Sequence, residues 1–123
     1  MKFTKLLFLA GIIFFCASCD KEQDVTPQNI YGIWAHYYDL EEYYDGMRFD
    51  EDGNFEYMER YSYEKDFKIK DKVGKDLSYT LVDKTVSIYN NDNGNKTLVR
   101  SFVIQKLTKA YLTEDSGFRW TGY

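Results

Sequence analysis

From residue 30 onward the chain alternates apolar and polar positions in short runs broken by Gly, Asn and Asp. In the first run, 30–39, Trp34, His36 and Tyr38 share one parity, and Ile33, Ala35 and Tyr37 the other. A second run covers 43–50 and ends in Asp50-Glu51-Asp52-Gly53, where the glycine can supply the positive φ of a hairpin turn. The third, 54–63, sets Phe55, Tyr57 and Tyr61 against Glu56, Met58 and Arg60. Phe67 and Ile69 then alternate with Lys68 and Lys70, Leu77, Tyr79 and Leu81 with Ser78 and Thr80, and Val86 and Ile88 with Thr85 and Ser87. A loop at 90–95 precedes 97–106, where Leu98, Phe102 and Ile104 share a parity with Arg100. The last two runs, 110–114 and 118–123, flank Asp115-Ser116-Gly117.

A period of two in runs of this length predicts β-strands, and nowhere do apolar residues recur at the three- and four-residue spacing of a long helix. The pattern predicts an all-β fold, an antiparallel up-and-down meander of about eight or nine strands. A sheet of that size must close or fold over to protect its edges, so the expected form is a small barrel of about eight strands.

Residues 1–18 depart from this pattern. Lys2 and Lys5 precede an apolar run at 6–15, too short for the roughly 20-residue helix that spans a bilayer but suited to a secretory signal peptide. Cys16-Ala17-Ser18-Cys19 follows. This resembles the lipobox of bacterial lipoproteins, although Cys16 stands where an aliphatic residue is usual. The resemblance implies that Cys19 becomes the mature N-terminus and carries acyl chains such as palmitate. Cleavage would then remove Cys16 and acylation would occupy Cys19, leaving no pair for a disulfide. The expected address is a bacterial cell envelope, lipid-anchored at the outer membrane, on its periplasmic or its surface side. Residues 19–29, opening with Asp20-Lys21-Glu22-Gln23-Asp24, read as a flexible acidic tether, and 30–123 as the folded domain.

Composition changes the picture in two ways. Once the leader is removed, Leu, Ile, Val and Phe make up only about a fifth of the chain, close to the level at which a charged sequence stays disordered. Twelve tyrosines compensate, since each can bury a ring while its hydroxyl reaches the rim. The formal net charge is −4, and loss of Lys2 and Lys5 makes the balance more acidic still, which argues against a nucleic-acid partner.

Gly32-Ile33-Trp34 opens the first strand and Arg119 lies near the end of the sequence. This Gly-x-Trp start with a late Arg resembles the lipocalin and wider calycin pattern, which implies that Trp34 closes one end of the barrel with Arg119 packed across its ring. Together with Phe49-Asp50-Glu51-Asp52-Gly53 and Leu107-Thr108-Lys109-Ala110-Tyr111-Leu112, the chain is similar to the short lipocalin-like domains of small Bacteroidota lipoproteins. A barrel this short can fill its interior with side chains instead of enclosing a wide cavity.

Candidate chemistry is sparse. His36 is the only histidine and has neither a second His nor a free thiol to complete a zinc site. Calcium-loop spacing fails at Arg48 for the turn at Gly53, and at Tyr89 and Arg100 for the 90–95 loop. No phosphate-binding glycine loop, nucleophile elbow or triad pattern is present, so the expectation is a non-enzymatic protein without cofactor or metal. The densest unusual stretch runs from His36 to Asp45, and Tyr37, Tyr43 and Tyr44 within it are the candidate ligand-binding residues. Rings beside carboxylates suit stacking and hydrogen bonding together. The function expected is a membrane-anchored binding protein taking a small apolar or aromatic ligand at the barrel mouth, or a protein partner. The alternatives are a glycan-recognising accessory lipoprotein using exposed tyrosines, or a structural or inhibitory envelope protein without a ligand pocket.

Overall fold

The alternating runs become the rungs of one sheet. The computed structural model describes residues 21–70 and 76–123. A four-residue helix, α1 (Pro27–Ile30), opens with proline at its first turn, where the missing N–H costs nothing. Nine strands follow: β1 (Gly32–Tyr38), β2 (Tyr43–Phe49), β3 (Phe55–Tyr61), β4 (Lys68–Ile69), β5 (Leu77–Val82), β6 (Thr85–Asp92), β7 (Asn95–Leu107), β8 (Tyr111–Glu114) and β9 (Arg119–Gly122). Every neighbouring pair is antiparallel, in the order β4-β3-β2-β1-β9-β8-β7-β6-β5. The fold is therefore all-β, a single meander sheet. Among the described residues no ladder closes it. β3 and β5 meet at one bridge, Asn54 with Ser78, beside a 3.0 Å hydrogen bond from the Tyr79 N–H to the Gly53 carbonyl.

The sheet curves strongly, because residues near its two ends share one core. Phe49 of β2 and Tyr79 of β5 stack edge to face with centroids 4.9 Å apart. Phe55, Val86, Ile104, Leu107 and Leu112 belong to the same buried cluster, and Ile30 of α1 is fully buried within it. Two tight turns explain how such short strands reverse. Gly53 adopts φ +83°, and Asn93-Gly94 takes φ +49° and +82°, the paired left-handed conformation of a two-residue hairpin.

Three expectations change here. The loop expected at 90–95 is the tip of one long hairpin: β6 continues to Asp92 and β7 begins at Asn95, so the connection is Asn93-Gly94 alone. Leu98 does not share a face with Phe102 and Ile104. A bulge lets Ile88 pair with Arg100 but Tyr89 with Leu98, and the extra residue shifts the alternation, leaving Leu98 exposed. Within the segment expected as a tether, the Gln23 N–H bonds the Leu107 carbonyl at 2.7 Å, Val25 packs on the core, and α1 follows with Ile30 buried. Cys19 and the leader lie outside the described residues.

Candidate functional site

Each strand that lines the concave face changes character along its length. At the α1 end, Trp34, Met47, Phe49 and Phe55 are buried. At the far end the same face carries Tyr43, Asp45, Glu59 and Tyr61, placed side by side by the β2–β3 register, with Tyr57 opposite Met47 at the boundary between the two halves. Tyr43 donates its hydroxyl proton to Glu59 at 2.9 Å, and Lys70 pairs with Asp45 at 3.6 Å. Burial, reinforced by the bond to Glu59, pushes the Tyr43 phenol up to about 12. Burial also opposes the charge on Lys70, but Asp45 outweighs it and the ammonium is held above its ordinary range. The Tyr57 phenol is raised by burial, while Arg100, Asp45 and Lys70 all act on it electrostatically. Arg100 belongs to β7, so its field reaches Tyr57 from the other arm of the curved sheet.

Arg100 is itself anchored from below. Its Nη2 lies 2.6 and 2.7 Å from the two oxygens of Glu114, a carboxylate only 3% exposed, and the Trp120 indole N–H donates to Glu114 at 2.7 Å. Glu114 is thus a clamp that fixes one cation and one indole on the concave face. Beside β3, β4 and β5 the wall opens into a cavity of about 310 Å³, lined among others by Phe55, Tyr57, Lys70 and Leu77. Its size is at the lower end of small-molecule sites, about 300–1,000 Å³. Tyr57 and Lys70 line this cavity, and Lys70 also pairs with Asp45 on the concave face.

The three candidate tyrosines do not act together. Strand alternation puts Tyr43 on the concave face, whereas Tyr37 and Tyr44 are paired on the convex face with centroids 4.6 Å apart. Tyr44 is further covered by Phe67, Tyr123 and the Arg60 guanidinium. Trp34 is buried and donates its indole N–H to the Ile30 carbonyl at 2.9 Å, tying α1 to the sheet. Gly32 has φ +114°, strained for any residue with a side chain.

The expected packing of Arg119 across Trp34 is corrected. Trp34 pairs with Gly122 and Ala35 with Thr121, which sets Arg119 on the opposite face, where its guanidinium lies 4.6 Å from the Tyr111 ring centre. The indole rests instead against Gly122, where a Cβ would come within 3.1 Å of the ring. His36 packs between Tyr38 and Phe118, and its Nδ1 lies 3.3 Å from the Arg119 carbonyl. Asp50 accepts the N–H groups of Asp52 and Asn54, so the acidic turn satisfies its own carboxylate. Among the described residues no three or more His, Cys, Asp or Glu side chains are grouped to hold a metal ion.

Sequence reading missed the Arg100–Glu114–Trp120 clamp, although one signal pointed to it. A lone arginine on the parity of Phe102 and Ile104 requires a buried acceptor, but nothing in the sequence says which of the acids supplies it. Comparisons with protein-family models, with curated proteins and with solved structures give no match.

Proposed function

We propose that this chain is a lipid-anchored, non-catalytic binding module of a bacterial cell envelope, whose sheet forms a lipocalin-like barrel with a saccharide seat in its open mouth. The observation that carries the reading is the change of chemistry along the concave face. One half is filled by Trp34, Met47, Phe49 and Phe55, and the other presents tyrosine rings between acids and bases. Rings stack on sugar faces, and alternating carboxylates and cations bond hydroxyls as acceptors and donors. An apolar ligand finds less support, because the apolar half of the interior is occupied by side chains.

The β3–β5 bridge and the shared core favour the barrel, with β3 and β5 as its seam. The lipobox-like Cys16-Ala17-Ser18-Cys19 favours acylation of Cys19 and anchorage at the outer membrane. Gln23 and α1 dock at the plugged end, so the mouth lies a full strand away from that docking point, about 20 Å for seven residues.

Calorimetric titration of the soluble Cys19→Ser form with a panel of neutral oligosaccharides tests the seat. Saturable binding weakened at least about tenfold by Tyr57→Ala supports it, since one stacked ring and its hydroxyl contribute roughly 1–2 kcal/mol. Absence of binding across the panel, or binding indifferent to Tyr57→Ala, contradicts it. Separately, radiolabelled palmitate should enter the wild-type protein in bacterial cells and not the Cys19→Ser protein; label retained by the variant refutes that acylation site.

A further inference from the structure

The convex face of a curved sheet normally meets water, yet here Ala35 and Met58 are 1% and 4% exposed on that side, outside the main core. The register explains their burial. Ala35 sits opposite Gly46, Gly46 opposite Met58, and Met58 opposite Ile69, a row of small and apolar residues crossing β1 to β4. Larger rows flank it. Tyr44 pairs with Arg60 on one side, and Arg48 with Ile33 and Glu56 on the other. The result is a trough, and Phe67 and Tyr123 lean over it with centroids 5.3 Å apart.

A cleft of about 470 Å³ opens beside the Met58 end of this trough, lined by Ile33, Met58, Phe67 and Tyr123. Arg48, Arg60 and Lys65 also line it, with Asp66 the one acid among the described residues that does. Arg48 is engaged by Glu56 through Nη2, while its buried Nε has no hydrogen-bond partner among the described residues. Arg60 donates to the Glu64 backbone carbonyl at 2.7 Å and lies over Tyr44 and Phe67, and among the described residues no carboxylate forms an ion pair with it or with Lys65. Unpaired cations around an apolar, aromatic-walled cleft are unexpected on a chain of net charge −4. A guanidinium already stacked on aromatic rings keeps its in-plane N–H groups free for an anion.

We propose that this convex cleft is a second binding site, for a small amphipathic anion: a planar or alicyclic apolar body carrying one carboxylate, sulfate or sulfonate. The body would lie on Ile33 and Met58 between Phe67 and Tyr123, and the anionic group would meet Arg60 and Lys65. The site is on the opposite face from the mouth and stands independently of the saccharide reading.

The probe is 8-anilinonaphthalene-1-sulfonate, titrated by fluorescence into the folded Cys19→Ser protein, with N-phenyl-1-naphthylamine as the neutral comparator having the same rings. Saturable one-to-one binding of the sulfonate is expected, at least about tenfold tighter than the neutral compound, which corresponds to 1.4 kcal/mol. Arg60→Gln should weaken the sulfonate about tenfold and leave the neutral compound unchanged. Lys65→Gln, at an exposed position that folding does not depend on, should weaken it about threefold and reduce its salt dependence. Absence of saturable binding, equal affinity for the two compounds, or sulfonate affinity unaltered in Lys65→Gln and in a folded Arg60→Gln protein would overturn the proposal. Displacement of the sulfonate by saccharide would also overturn it, by placing the probe in the mouth.

Discussion

In β2, Met47 and Phe49 are 1% and 0% exposed, whereas Tyr43 and Asp45, on the same face a few residues earlier, remain partly open. Both halves belong to one unbroken ladder with β1 and β3, so backbone pairing does not distinguish them. Side chains do. The plugged half excludes water with α1, Trp34, Phe49, Phe55, Leu107 and Leu112, while the open half pairs its acids and bases through Tyr43–Glu59 and Asp45–Lys70. A short sheet can thus be stable at one end and chemically accessible at the other. Burial energy grows with apolar area removed from water, whereas partly exposed ion pairs contribute little.

The largest expected effect that would break this comparison is at Trp34. Trp34→Ala removes a buried indole and its bond to Ile30, and should lower unfolding free energy by about 3–5 kcal/mol in urea titrations. A loss under about 1 kcal/mol would mean that the plugged end is not what holds the domain together. Glu114→Ala comes next, at about 2–3 kcal/mol, because it strands the Trp120 N–H and frees Arg100. If its cost matches that of an exposed acid such as Glu51, the clamp carries no weight.

The smallest effect sharpens the contrast within the tyrosines. Tyr43→Phe in the open half should cost less than about 1 kcal/mol at neutral pH. Tyr43 and Tyr79 both have phenols pushed up to about 12, Tyr79 by burial and then by Tyr31 and Asp50. A raised pKa in the folded state means that this stabilisation is complete below pH 10, where the unfolded chain still holds its protons, and is lost as pH rises toward 12. Unfolding followed across that window should show stability falling, with a shallower fall in Tyr43→Phe and in Tyr79→Phe. An unchanged slope in both variants would remove the assigned environments.

The strands were legible because period-two alternation survives wherever one face is buried. Phe55, Tyr57 and Tyr61, or Val86 and Ile88, announce themselves without coordinates. The β7 bulge was not legible, since one extra residue at a bend leaves composition unchanged while turning Leu98 out of the core. Nor was the docking of the segment 23–30, a polar stretch that looks like linker but is held by the Gln23 backbone bond, the Trp34 indole bond to Ile30, and the packing of Val25 and Ile30. For the site, the tyrosine-rich segment 36–45 stands out in the sequence, but adjacency in sequence means opposite faces in a strand, which separates Tyr43 from Tyr44. Glu114 with Arg100, and Asp45 with Lys70, come together only through pairing across strands, a long-range fact that residue spacing does not hold. The convex trough was hidden for the same reason: Ala35, Gly46 and Met58 look unremarkable until their register aligns them.

Residue-resolved amide hydrogen exchange under native conditions tests the division of the sheet most directly. Amides of Trp34, Met47, Phe49, Ile88 and Leu112 should exchange only through global unfolding, and those of Tyr38, Tyr43, Tyr61 and Leu98 through local opening at markedly lower free energy. Equal protection along β1, β2 and β3, or slower exchange at the tyrosine end than at Trp34, would contradict the account.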